Sequence, residues 1–168
     1  MSRIQSLRSF RFLPISVGFV TILIALMPAS AVARPNTFAG LVVSVRDGDT
    51  LMVVRHDHVE KVILAGVDCP ELGQAFGARA KQFTAGLASG KVVTVRVREV
   101  DANGRRIGVV ILPDGRSLNR ELVAAGMAWR SADSKKDKEL SKLETEARRE
   151  KRGLWADAHP TPPWTFRK

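Results

Sequence analysis

Four residues stand out by chemical type and by what surrounds them. Asp49 opens a valine-rich segment directly after a glycine turn, in Val45-Arg46-Asp47-Gly48-Asp49-Thr50. Asp68 closes another such segment, just before Cys69-Pro70-Glu71. Two carboxylates at strand ends can converge on one hard divalent cation, which takes oxygen ligands from carboxylates, backbone carbonyls and water. Glu71, three residues beyond Asp68, would then lie near the ion without ligating it, where a carboxylate can orient and deprotonate a water. Arg105 follows the turn Asp101-Ala102-Asn103-Gly104, and a guanidinium at a strand entrance can grip a phosphate in two places. Each residue also has a plainer reading. Asp-Gly-Asp is a common hairpin turn, Glu71 could cap the helix that follows it, and Arg105 could be an exposed strand-end arginine.

The elements that must hold these residues follow from the apolar periodicity. Alternating, valine-rich runs predict strands over 38–46, 50–55, 59–67, 92–100 and 105–112, with residues 55–58 as a hairpin tip. His56 and His58 flank Asp57 on that tip and are read as solvated. Phe76, Ala80, Phe83 and Leu87 recur at helical spacing and predict a helix over 74–89, ended by Gly90. Ser117 or Asn119 is placed to cap a short helix carrying Leu118, Leu122, Val123 and Met127. Residues 131–136 read as a polar loop. A last helix is expected over 137–152, with Leu140, Leu143 and Ala147 on one stripe and Glu144 four residues before Arg148. The proline-rich tail is expected to be extended and packed by Trp155 and Trp164. Five strands with a helix between the third and fourth place the chain in the α+β class and are compatible with an OB-fold barrel, among other small α+β arrangements.

The 168 residues have room for one compact domain after an N-terminal leader. Arg3, Arg8 and Arg11 precede an almost wholly apolar run from 12 to 27, and Ala29 to Ala33 offers small residues at the spacing of a signal-peptidase site. Residues 1–33 therefore read as a secretory signal peptide cleaved after Ala33, the alternative being an uncleaved N-terminal membrane anchor. No second apolar run is long enough to span a membrane. The domain would occupy 34–168, exported to the periplasm or medium. Loss of 1–33 removes three arginines and no acids and lowers the net charge from +10 to +7. A basic domain suits a polyanion such as DNA, RNA or an anionic membrane. Cys69 is the only cysteine, so no intramolecular disulfide forms.

Taken together, Asp47-Gly48-Asp49-Thr50, Gly66-Val67-Asp68-Cys69-Pro70-Glu71, Gln74-x-x-Gly77, Asp101-x-x-Gly104-Arg105, Leu118-Asn119-x-x-Leu122-Val123-x-x-Gly126, Glu146-Ala147 and Gly153-Leu154-Trp155 resemble the staphylococcal nuclease family over about residues 38–156. The resemblance implies an OB-type barrel with three helices and Ca²⁺-dependent hydrolysis of DNA and RNA. Single-stranded or denatured substrate and a monomeric state are expected as well. The resemblance makes Asp49 and Asp68 the calcium carboxylates and gives Cys69 a ligand role through its backbone carbonyl, where the family often has threonine. Glu71 matches the proposed general base, and Arg105 matches an arginine on the scissile phosphate.

Two departures bear on activity. The family places a second active-site arginine five residues before the calcium carboxylate, and Ile63 stands at that position. Losing one preorganised donor of this kind costs on the order of 10²–10³ in rate. Lys61, two residues earlier on the same strand face, is a distant substitute without the bidentate fork. The chain also has no tyrosine, and Asn103 fills a position where the family commonly has one, which leaves Trp129 as the nearby aromatic candidate for stacking a base, with a core-edge place after the short helix as its equal alternative. Two functions are therefore expected to compete: a nuclease of reduced activity, and a non-catalytic nucleic-acid-binding module of the same fold. A third, weaker reading is an envelope protein that holds a protein or anionic lipid.

Overall fold

The computed structural model describes residues 36–167. The leader expected over 1–33 lies outside the described residues. Alternating valine and leucine positions produce strands with one buried face: in β5 (Val92–Val100) Val93, Val95 and Val97 point inward, and in β2 (Thr50–Arg55) Leu51 and Val53 do. With β1 (Thr37–Val45), β3 (His58–Leu64) and β6 (Arg106–Ile111) these strands close a barrel in the order β1-β2-β3-β6-β5. All neighbours are antiparallel except β3 and β6, which run parallel through Val62–Arg106, Ile63–Ile107 and Leu64–Gly108. Bulges in β1 between Val42 and Ser44, and in β5 between Val97 and Glu99, add the local bend that closure requires. A five-stranded closed barrel with helices at its rim fits the expected α+β, OB-type class.

The predicted third strand is interrupted. Gly66 takes a left-handed φ of 78°, so the chain leaves the barrel after Leu64. Val67–Asp68 then forms β4, a separate two-stranded ribbon with β7 (Trp129–Arg130), in which Asp68 faces Trp129. The first helix, α1 (Gly77–Ala88), starts three residues later than expected because Phe76 adopts a left-handed φ of 67° and Gly77 packs on the preceding loop. A Cβ at Gly77 would lie 1.9 Å from the Glu71 carbonyl oxygen.

Neither candidate cap performs that job in α2 (Leu118–Ala124). Ser117 sits at the cap position with its hydroxyl buried and unpartnered among the described residues. Asn119 lies inside the helix and serves the barrel instead. Its Oδ1 accepts the Val110 N–H at 3.0 Å, and its Nδ2 donates to the Ala65 carbonyl at 2.8 Å and the Gly108 carbonyl at 3.2 Å. The polar loop over 131–136 contains a single 3₁₀ turn, Ala132–Ser134. In α3 (Lys138–Arg149) Asp137 accepts from the Glu139 and Leu140 amides, and the Glu144–Arg148 pair forms at 3.4 Å.

The tail is not wholly extended. Pro163–Phe166 makes one helical turn, α4, with Pro at the start supplying the fixed φ that a first turn needs. Among the described residues no helix is long and apolar enough to cross a membrane.

Asn119→Ala is expected to lower stability by about 3 kcal/mol, because one buried amide and two carbonyls lose a partner together. Urea denaturation measures this loss, and an unchanged midpoint would contradict the bridging role.

Candidate active site

Asp47-Gly48-Asp49 forms a tight turn between β1 and β2, closed by the Arg46 amide on the Thr50 carbonyl at 2.9 Å. Glycine is required at its centre: a Cβ on Gly48 would lie 2.5 Å from the Cys69 Cβ and 2.9 Å from the Ala80 Cβ. The turn is therefore pressed between the Asp68-Cys69 loop and α1. Thr84 of α1 donates its hydroxyl to the Gly48 carbonyl at 2.5 Å, and the Cys69 amide donates to the Asp49 carboxylate at 2.7 Å across twenty residues of sequence. Asp47 accepts the Asp49 amide at 3.1 Å. Cys69 itself is buried, and burial beside three carboxylates pushes its thiol well above the ordinary range, consistent with a structural thiol.

Asp49, Asp68, Glu71 and Arg105 all line one open cleft of about 530 Å³. The turn before β2 brings Asp49, β4 brings Asp68, the following loop brings Glu71 and the turn before β6 brings Arg105. The cleft floor is the parallel β3–β6 seam, so Lys61 and Ile63 of β3 and Ile107 of β6 line it as well. Arg105 is held by Asp101, whose carboxylate accepts from both its amide and its Nε.

Burial raises the Asp49 carboxyl to about 7, with the Cys69 amide opposing and the charges of Asp47 and Asp68 adding to the rise. Burial likewise raises Asp68 above the usual carboxylate range, against the pull of Arg167. No cationic side chain pairs with Asp49 among the described residues. A half-buried carboxylate with like-charged neighbours and no counter-ion fits a site built for a divalent cation. No three acidic, histidine or cysteine side chains form a metal-holding cluster among the described residues. The side chains would thus supply Asp49 and Asp68, and carbonyls and water the remaining oxygens.

Glu71 does not cap α1. Its amide donates to the Gln74 side-chain oxygen at 2.8 Å, and its carboxylate accepts from Arg167 Nε. Arg167 also donates through Nη2 to Asp68. This tail arginine lies 96 residues beyond Glu71, and no local pattern in the sequence marks it. Trp129 is not available to stack a base either. It is buried, with ring centroids 4.3 Å from Trp155 and 5.5 Å from Trp164 in edge-on geometry. The Arg148 guanidinium covers Trp155 at 3.8 Å. Through Trp164 this cluster docks the tail, and Gln74 adds a bond to the Thr161 carbonyl at 3.1 Å.

The family model described as staphylococcal nuclease homologue matches residues 61–157. The chain belongs to the staphylococcal nuclease family. It is 41% identical over 128 residues to a protein of Escherichia coli O157:H7 named an uncharacterized endonuclease, covering 76% of this chain and 84% of that one. It is 39% identical to a protein of Shigella flexneri named micrococcal nuclease, covering 91% of each. A protein of Arabidopsis thaliana named staphylococcal-like nuclease CAN1 is 33% identical over 108 residues, which make up 64% of this chain and 33% of that longer protein. Against the family pattern, Ile63 presents an apolar side chain to the same cleft as the acids and Arg105.

A carboxyl whose folded-state pKa is raised destabilises the fold above that value, and the cost is relieved as pH falls from about 7 towards the unfolded value of 3.8. Metal-free Asp49→Asn is therefore expected to be more stable than the parent at pH 8, by about 1–3 kcal/mol. The gain shrinks towards pH 4. Urea titrations in chelator at pH 8 and pH 4.5 read both halves, and a variant that loses stability at pH 8 would refute the assignment.

Proposed function

We propose that this protein is an exported Ca²⁺-dependent nuclease that hydrolyses phosphodiester bonds in DNA or RNA. The observation that carries the reading is the convergence of Asp49, Asp68, Glu71 and Arg105 on one cleft from four separate points of the chain. Kinship with proteins named endonuclease and micrococcal nuclease supports it.

Asp49, Asp68 and the Cys69 carbonyl would hold the ion. Bound there, Ca²⁺ would supply positive charge against the phosphoryl oxygens as negative charge builds on them. Glu71 orients the attacking water and takes its proton. Arg105, fixed by Asp101, presents its remaining guanidinium edge to a phosphate oxygen. Single-stranded or denatured chains, whose backbone can bend into an open cleft, are the favoured substrates. The basic surface would draw the substrate in with a strong salt dependence. Residues 1–33 act as the export signal, and the mature protein works as a monomer.

The second reading is a binding module without turnover, favoured by Ile63 at the cleft. The two separate on hydrolysis of denatured DNA. The nuclease reading expects multiple turnover in Ca²⁺ and none in chelator, with Glu71→Gln lowering kcat by about 10²–10⁴-fold. Binding that weakens with salt but never yields cleavage would establish the module instead. For export, N-terminal sequencing of protein recovered from the periplasm or medium is expected to begin at Arg34, whereas an intact leader on a membrane fraction would indicate an anchor.

A further inference from the structure

The cleft is acidic for a site that would receive a phosphodiester. Five carboxylates line it (Asp47, Asp49, Asp68, Glu71 and Asp133), against three cationic side chains, Lys61, Arg105 and Arg167. Arg105 is partly committed to Asp101. Lys61 is a strand residue without a fork of donors. Arg167 is the cation that touches the acids themselves, through Nε to Glu71 and Nη2 to Asp68. Its Nη1 makes no hydrogen bond among the described residues, and the side chain remains about half exposed, 49%. One edge of the guanidinium is thus fixed on the two acids, and Nη1 is left without a hydrogen-bond partner among the described residues.

The placement of Arg167 is built into the fold. It directly follows α4, which is pinned by buried Pro163, by Trp164 on Trp129, and by Phe166, whose ring would lie 3.6 Å from a Cβ on Gly73. Trp129 in turn is the strand partner of Asp68. The tail that delivers the guanidinium and the strand that delivers the carboxylate are therefore registered on the same side chain.

We propose that Arg167 is a phosphate-contacting residue of this site, its free Nη1 edge meeting a nonbridging oxygen of the scissile phosphodiester while Glu71 and Asp68 hold the other edge. This rests on the nuclease reading and deepens it. It also accounts for an isoleucine at position 63: the second guanidinium arrives from the C-terminal tail instead of from β3. A planar fork anchored on one side and free on the other is preorganised for a tetrahedral phosphoryl group.

The test measures kcat and KM on denatured DNA in Ca²⁺, and the affinity for a fluorescein-labelled octathymidylate with phosphorothioate linkages by anisotropy. Arg167→Ala is expected to lower kcat/KM by about 10²–10³-fold and to weaken probe binding at least about tenfold, with the thermal midpoint little changed. Arg167→Lys recovers only a small part. Ile63→Arg restores at least about tenfold of the lost rate in the Arg167→Ala background but adds less than about threefold to the parent, a dependence on Arg167 that a merely structural tail contact would not give. Activity of Arg167→Ala equal to or above the parent would overturn the proposal and make the tail a spectator or a plug. If the parent itself cleaves nothing, the nuclease reading fails, and the probe alone decides: weaker binding by Arg167→Ala supports the contact, and unchanged binding rejects it.

Discussion

The site depends on the contact between two turns twenty residues apart. Gly48 lies against Cys69 so closely that no side chain fits between them, and the Cys69 amide reaches the Asp49 carboxylate. Everything else positions that contact or exploits it. α1 backs it with Ala80 and the Thr84 hydroxyl, while the left-handed Gly66 turns the chain out of the barrel so that Asp68 lines the same cleft as Asp49. Burial in this contact is what raises the Asp49 carboxyl, and the negative charges of Asp47 and Asp68 add to the rise. The pocket is destabilising to the empty protein for the same reason that it would favour a cation.

A second layer of order comes from tryptophan rather than charge. Trp129 backs Asp68 in β7, packs on Trp155 after α3 and receives Trp164 from the tail. Gly126 and Gly153 make this possible. A Cβ at Gly126 would lie 2.1 Å from the Arg152 carbonyl oxygen, and one at Gly153 would lie 2.2 Å from the Gly126 carbonyl oxygen. The two chain segments cross there at backbone contact distance, and that crossing sets where Leu154 and Trp155 enter the core.

The five strands and the four cleft residues were legible because each is written in local pattern: alternating valines, Asp-Gly turns, and carboxylates placed near strand ends. The OB-type barrel came from the ordered family motifs, since periodicity alone left other α+β arrangements open, and the order in which the strands pair is visible only in the structure. The family motifs acquire physical reasons from the structure. Gly77 is small because it abuts the Glu71 carbonyl, and Asn119 is buried because it splices Ala65, Gly108 and Val110. Features set by distant partners were not legible. Nothing within a window around Trp129 tells a buried hub from an exposed stacking ring, since its neighbours arrive from 26 and 35 residues away. Nothing around Arg167 announces that it reaches Asp68, and an isolated cap position such as Ser117 carries no hint that its hydroxyl stays unpartnered. Sequence periodicity reports which face of an element is buried and is silent on what it is buried against.

The parallel seam between β3 and β6 has a consequence for how the molecule comes into being. It joins residues 62–64 to 106–108, and those same strands form the floor of the cleft. Hairpins such as β1–β2–β3 and β5–β6 can assemble from near neighbours, but the seam must wait until the first half of the barrel finds the second, a late and entropically costly step. The first half of the barrel carries Asp49, Asp68 and Glu71, and the second brings Arg105, so the seam unites the two halves of the cleft. A chain still emerging from a ribosome holds its cleft acids apart from Arg105, and the complete cleft arises only at closure.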